Sequence, residues 1–142
     1  MNVLYTAEAL ATGDGRNGHA RTSDGKVDVN LAMPKELGGS GEGTNPEQLF
    51  AAGYAACFHS ALRLVAKSAN ADIADSAVGA KVGLGANDQG GFALTVTLEV
   101  SLPHLSREEA QALADKAHEV CPYSNATRGN IDVTVTVTVA ED

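Results

Sequence analysis

The stretch that decides how this chain folds runs from Asn45 to Val65, N-P-E-Q-L-F-A-A-G-Y-A-A-C-F-H-S-A-L-R-L-V. Thr44 or Asn45 can cap a helix here, and Pro46 suits its first turn, where a missing amide hydrogen costs nothing. The spacing predicts a helix from about Asn45 to about Ala69. From Gln48 to Val65 the polar residues are Gln48, His59, Ser60 and Arg63, and small side chains fill much of the rest. An apolar surface wider than one stripe calls for burial on more than one side. One sheet covers one side, so a second copy of the chain is expected to cover another. In the middle of this segment stands Cys57, one of two cysteines in a chain without tryptophan.

Working outward, four segments alternate apolar and polar residues with the period of a strand. They centre on Val27 to Met33, Val78 to Leu84, Phe92 to Leu102 and Ile131 to Val139. The turn A-N-D-Q-G-G, residues 86 to 91, joins the second to the third. V-L-Y-T-A-E-A-L-A-T and G-H-A-R-T-S read as two further strands, linked by the glycine-rich turn G-D-G-R-N-G at residues 13 to 18. A second helix begins at S-R-E-E, where Ser106 and Glu109 form a capping box. It is expected to stop at Cys121, because Pro122 disfavours helical geometry in the residue before it. The reading is an α+β domain with no alternating βαβ units: antiparallel sheets packed on a long central helix and a second helix, in one domain covering 1-142.

Composition narrows the possible functions. A net charge of -8 gives no field for phosphates, and the basic residues form no run, so neither nucleic acid nor an anionic membrane is an expected partner. The N-terminus has no basic start followed by an apolar block, and no run approaches the roughly 18 apolar residues of a membrane span. A cytoplasmic protein follows as the expectation. Thiols there are kept reduced, which ranks redox or metal chemistry above a static disulfide for Cys57 and Cys121.

Gly13, Gly15 and Gly18 satisfy G-x-G-x-x-G, but a dinucleotide site needs a helix after the glycines, and H-A-R-T-S-D-G-K is not one. Metal binding draws on C-x-H at Cys57 and His59 and H-x-x-C at His118 and Cys121. Residues two apart on a helix point about 200° apart, which leaves at most three ligands and makes a metal-binding module the weaker reading. Thiol chemistry needs a thiolate, and a thiolate needs a cation or a helix N-terminus. Cys121, at the negative end of a helix, suits a resolving role. Cys57, mid-helix and among apolar residues, needs a cation from elsewhere. Arg16, Arg21, Arg63, Arg107 and Arg128 are the candidates, with Arg16 and Arg128 the more plausible because each sits in a turn beside glycine. Phe50, Tyr54 and Phe58 form a stripe beside Cys57, and Tyr123 follows Cys121; the stripe is either core or the lining of an apolar substrate pocket.

The segments G-T-N-P-E-Q-L-F-A-A-G-Y-A-A-C-F and H-E-V-C-P-Y-S-N-A-T-R-G-N, with the turn G-R-N-G, resemble the organic hydroperoxide resistance protein family, a branch of the osmotically inducible protein C-like superfamily. The N-P-E-Q-L-F and V-C-P-Y-S segments favour this branch over the osmotically inducible one. The resemblance implies an intertwined α+β homodimer that reduces organic hydroperoxides to alcohols, takes electrons from dihydrolipoamide or a lipoylated protein, and needs no metal or other cofactor. It makes Cys57 the peroxidatic cysteine and Cys121 the resolving one. Arg16 holds the thiolate and the peroxide, and Glu47 orients Arg16. Phe50, Tyr54 and Phe58 are then expected to bind the substrate's hydrocarbon part. Glu47 also completes a T-x-x-E capping box with Thr44, which would occupy it without any catalysis. It stands ten residues before Cys57, an axial rise of about 15 Å, so it cannot reach that cysteine along its own helix. Two such helices paired antiparallel across a dimer axis are the simplest way to bring them together.

Overall fold

The computed structural model describes residues 1-140, in two compact units that divide between Leu49 and Phe50. The first unit holds a three-stranded antiparallel sheet of β1 (Ala9–Thr12), β2 (His19–Thr22) and β3 (Asp28–Asn30). Thr12 pairs with His19, and His19 with Asn30, so β2 is central. β1 is shorter than the strand expected from Val3 to Thr12. Its register begins at Ala9 opposite Thr22, where β2 ends, which leaves Val3, Leu4 and Tyr5 without a strand to pair with and exposed.

The glycine-rich turn between β1 and β2 contains a single 3-10 turn, Gly15–Asn17, with Arg16 at its centre. Gly15 has φ +59°, and a Cβ on Gly18 would stand 2.2 Å from the Thr12 carbonyl oxygen. Only glycine fits there without moving the backbone. The apparent nucleotide fingerprint is therefore the closure of a hairpin that presents an arginine.

The long helix α1 spans Pro46–Ser68, within a residue of the predicted bounds. Its cap corrects the sequence reading. Asn45 Oδ1 accepts from the Gln48 amide at 2.9 Å, and Gln48 Oε1 accepts from the Asn45 amide at 3.3 Å. This reciprocal pair does the work assigned to Thr44 and Glu47, and Glu47 is left for another partner.

The second unit contains a three-stranded sheet of β4 (Ala77–Ala86), β5 (Phe92–Ser101) and, after two helices, β6 (Val133–Thr138). β4 and β5 are antiparallel, as the intervening turn requires. β6 runs parallel to β5, Val96 opposite Val133, which corrects the expectation of purely antiparallel sheets. Parallel neighbours need a helical crossover. It is supplied by α2 (Arg107–Val120) and α3 (Pro122–Thr127), so the fold has one βαβ unit. α2 starts on the predicted Ser106–Glu109 capping box. Pro122 ends it as expected but also opens α3 at its first position, a short helix that the sequence reading missed.

The core of this unit joins Tyr54, Phe58, Leu62 and Ala66 of α1 to Val96, Leu98 and Val100 of β5 and to Ala110, Ala114 and Ala117 of α2. Three alanines on the inward face of α2 let the backbone lie close to its neighbours. By length and composition alone, an 18-residue window of α1 matches a membrane-crossing helix, a test that the core helix of a folded protein also passes. Only 28% of that window is buried in the described chain, and Leu64 is 63% exposed.

The cap yields a direct test. Asn45→Ala is expected to lower stability in urea unfolding by about 1 kcal/mol, and Thr44→Ala by less than about half of that. Equal losses would return the cap to the Thr44 pairing.

Candidate active site

Two constellations stand out, one in each unit. In the first, the 3-10 turn aims Arg16 at Glu47 in the opening turn of α1. Arg16 Nη1 donates to Glu47 Oε1 at 2.5 Å and Nη2 to Oε2 at 3.2 Å, a two-pronged ion pair. The Glu47 side chain is 18% exposed and that of Arg16 is 37% exposed. The planar guanidinium matched to a carboxylate fixes the orientation as well as the position of the charge. The Glu47 carboxylate also holds the Arg16 guanidinium above its already high ordinary pKa, mainly through this hydrogen bond, so the group is a permanent cation.

The other four arginines have other surroundings. Arg128 donates to Asn125 Oδ1 at 2.6 Å and to the His118 carbonyl at 2.5 Å, where it satisfies the end of α2. Arg21 lies 3.6 Å from Asp28, and Arg107 donates to the Val137 carbonyl. Arg63 is exposed on α1. Arg128 thus finishes a helix, whereas Arg16 is held by a carboxylate that no cap requires.

In the second unit, Cys57 and Cys121 are both free, with their Sγ atoms 3.5 Å apart. Cys121 is fully buried and Cys57 is half-buried. Cys121 is at once the last cap of α2 and the first cap of α3, with extended backbone angles of φ -64° and ψ 124°. Its amide donates to the Ala117 carbonyl, and its carbonyl accepts from the Asn125 amide.

Burial pushes the Cys57 thiol above its ordinary pKa, and the neighbouring Cys121 thiol adds to this. The Tyr123 amide, at the start of α3, draws it the other way. A mid-helix cysteine gains little from the ends of its own helix; Cys57 is reached by the end of a different one. The signal for that was in the sequence, since proline one residue after a helix stop is also a helix start. Even so, burial is the largest influence, and a reactive thiolate still needs a cation.

The aromatic stripe divides. Tyr54 and Phe58 are fully buried in the core, and Phe58 faces the His118 ring at 6.4 Å. Phe50 stacks on Tyr54 at 5.8 Å, and Tyr123, 40% exposed, lies 6.0 Å from Phe50 and 5.6 Å from Tyr54. Phe50 and Tyr123 therefore offer ring surface to a ligand, with Tyr54 and Phe58 behind. The histidines once weighed as ligands have hydroxyl partners: His59 Nε2 is 3.0 Å from Ser76 Oγ, and His118 Nδ1 is 2.7 Å from Ser124 Oγ. Among the described residues no three His, Cys, Asp or Glu side chains converge as a cation site would require.

A pair of free thiols at a helix junction makes this a two-cysteine thiol protein on an α+β scaffold. Residues 39-136 match the model of the OsmC-like protein family. The chain is similar to an organic hydroperoxide resistance protein of Xanthomonas axonopodis pv. citri, 54% identical over 137 residues and 95% of each chain. It is likewise similar to organic hydroperoxide resistance protein OhrB of Bacillus subtilis, 52% identical over 132 residues, 92% of this chain and 96% of that one. The crystal structure of an organic hydroperoxide resistance protein from Legionella pneumophila superposes with a TM-score of 0.93 at 54% identity, over 97% of this chain and 100% of that one. The chain belongs to the OsmC-like family, in its organic hydroperoxide resistance branch.

The unequal exposure of the two thiols is measurable. Iodoacetamide under native conditions is expected to modify Cys57 well before Cys121, giving a plateau at one adduct per chain that rises to two on unfolding. Simultaneous modification of both would contradict the buried position of Cys121.

Proposed function

We propose that the protein is a cysteine-based peroxidase that reduces organic hydroperoxides to alcohols in the cytoplasm as part of the response to oxidative stress. The observation that carries this reading is the approach of an accessible thiol to a buried one at 3.5 Å with no disulfide between them, in a chain whose relatives are named for resistance to organic hydroperoxides. The Cys57 thiolate attacks the distal oxygen of R-O-O-H. The O–O bond breaks, the alkoxide leaves and takes up a proton as the alcohol, and Cys57 is left as a sulfenic acid. The Cys121 sulfur then attacks the Cys57 sulfur. Water leaves, and an S–S bond forms that protects Cys57 from further oxidation. A dithiol, dihydrolipoamide or a lipoylated protein, restores both thiols by exchange.

Arg16 supplies the positive charge that the Cys57 thiolate needs, and Glu47 holds the guanidinium in the orientation that serves thiolate and peroxide together. The protein acts as a homodimer in which the exposed apolar surface of α1 is covered by a second copy running antiparallel. This arrangement answers the 15 Å rise, about one and a half nanometres along the helix, that separates Glu47 from Cys57. The Phe50 and Tyr123 rings, backed by Tyr54 and Phe58, receive the alkyl part of the substrate. Each methylene taken from water there adds about 0.8 kcal/mol of binding, which favours alkyl hydroperoxides over hydrogen peroxide.

Intact mass after one equivalent of tert-butyl hydroperoxide tests the cycle. The reduced protein is expected to lose two hydrogens, and Cys121→Ser to hold a trappable sulfenic acid at Cys57; unchanged masses would end the peroxidase reading. Arg16→Ala is expected to raise the pKa governing Cys57 alkylation and to slow peroxide reduction at pH 7 by roughly ten- to a thousand-fold, the effect of removing one close opposite charge. An unchanged alkylation profile would remove Arg16 from the site.

A further inference from the structure

About one helical turn from the two thiols runs a row of hydrogen-bonded polar groups to which the proposed cycle gives no chemical task. Tyr54 Oη lies 2.8 Å from Ser124 Oγ and 3.1 Å from Thr127 Oγ1; His118 Nδ1 lies 2.7 Å from Ser124 Oγ; and Thr127 Oγ1 donates to the Ser124 carbonyl at 3.2 Å. Tyr54, Ser124 and Thr127 are all buried. Each hydroxyl has a single hydrogen, so with that of Thr127 placed on the Ser124 carbonyl the direction of the remaining bonds follows. Thr127 spends its hydrogen on the carbonyl and can only accept from Tyr54. Tyr54 thereby spends its own and can only accept from Ser124, which must in turn accept from His118. The row is a one-way chain from His118 Nδ1–H through Ser124 and Tyr54 to Thr127, and it requires the proton of His118 to sit on Nδ1. Burial and Arg128 hold the His118 pKa below its ordinary value, so the ring is neutral in this role at neutral pH.

The place of this chain gives it a task. Tyr54 precedes Cys57 by three residues on α1, and Ser124 follows Cys121 by three at the start of α3, so Tyr54–Ser124 and Cys57–Cys121 are successive rungs between the same two helices, about one turn apart. α3 has six residues and cannot hold itself in place by its own hydrogen bonds. The Sγ atoms must still close from 3.5 Å to about 2 Å for a disulfide to form.

We propose that Ser124, held between Tyr54 and His118, is the positioning residue of the resolving step: it fixes α3 so that Cys121 faces the Cys57 sulfenic acid, and it governs the rate of disulfide closure without governing the attack on peroxide. The inference rests on the peroxidase reading. In the closing step the Cys57 S–O bond breaks, the S–S bond forms, and the Cys121 proton leaves with the hydroxyl as water, so no further reactant is needed.

Rapid quenching after tert-butyl hydroperoxide, with dimedone to trap sulfenic acid and intact mass to count disulfide, separates the two steps. Ser124→Ala is expected to slow closure by roughly ten-fold, about the worth of one buried hydrogen bond, while sulfenic acid forms at the native rate when compared in the Cys121→Ser background. Thr127→Val, nearly isosteric, removes the end of the chain and is expected to act in the same direction should Ser124→Ala fail to fold. Nitrogen-15 spectra of the native protein add a readout independent of variants, with neutral His118 protonated at Nδ1. Closure at the native rate in the variants, equal slowing of both steps, or an Nε2–H tautomer would overturn the proposal and leave the peroxidase reading intact. Failure of the native protein to form either sulfenic acid or disulfide would overturn both.

Discussion

The crossing of α1 and α3 is the constraint on which the second unit depends. Cys57 projects from the middle of a long helix into surroundings that disfavour its charged form, and Cys121 sits where one helix ends and another begins. Neither placement has obvious chemical use alone. Together they put a half-buried sulfur against a fully buried one, and the same crossing packs Tyr54 against Ser124 and Phe50 against Tyr123. The parallel pairing of β6 with β5 belongs to the same arrangement, because α2 and α3 are the crossover that returns the chain to the sheet. Alanines on the inward face of α2 keep that crossover close to the core.

The first unit solves a different problem, that of holding one charge in one orientation. A hairpin turn that only glycine can make sets the backbone of Arg16, and the Glu47 carboxylate sets its side chain. Asn45 and Gln48 cap α1 and so relieve Glu47 of that duty. The helix start and the ion pair then draw on separate residues within a single turn, and each can be tuned without loss to the other.

How far the sequence could be read depended on whether the signal was local. The bounds of α1 and the start of α2 were legible because caps and periodicity lie within a few residues of each other. The two-stranded reading of β4 and β5 was legible for the same reason. The parallel partner of β5 was not, since the alternation in Val133 to Thr138 states which residues face the core but not which neighbour they lie beside. Among the site residues, Cys57 and Cys121 were singled out by their scarcity and their surroundings. Arg16 and Glu47 could be chosen only by resemblance, because a bond spanning the loop from the hairpin to α1 leaves no trace in spacing. The Thr44 capping box was a local motif overruled by another in the next register. α3 was lost because Pro122 was read as a stop alone. The chain through Ser124 was out of reach, since its members come from three helices.

Cys121 at the junction of α2 and α3 has a topological consequence. A bond from it to Cys57 would tie a ring enclosing the second half of α1, both antiparallel strands and all of α2. Unfolding such a ring gains less chain entropy than unfolding an open strand, by roughly 4 kcal/mol for a loop of this size. The spent, oxidised molecule would then be the more robust form, and the reduced molecule that awaits substrate the more fragile. Readiness to react and resistance to unfolding would thus fall to opposite halves of one cycle, and each turn of reductant would return the chain to its looser state.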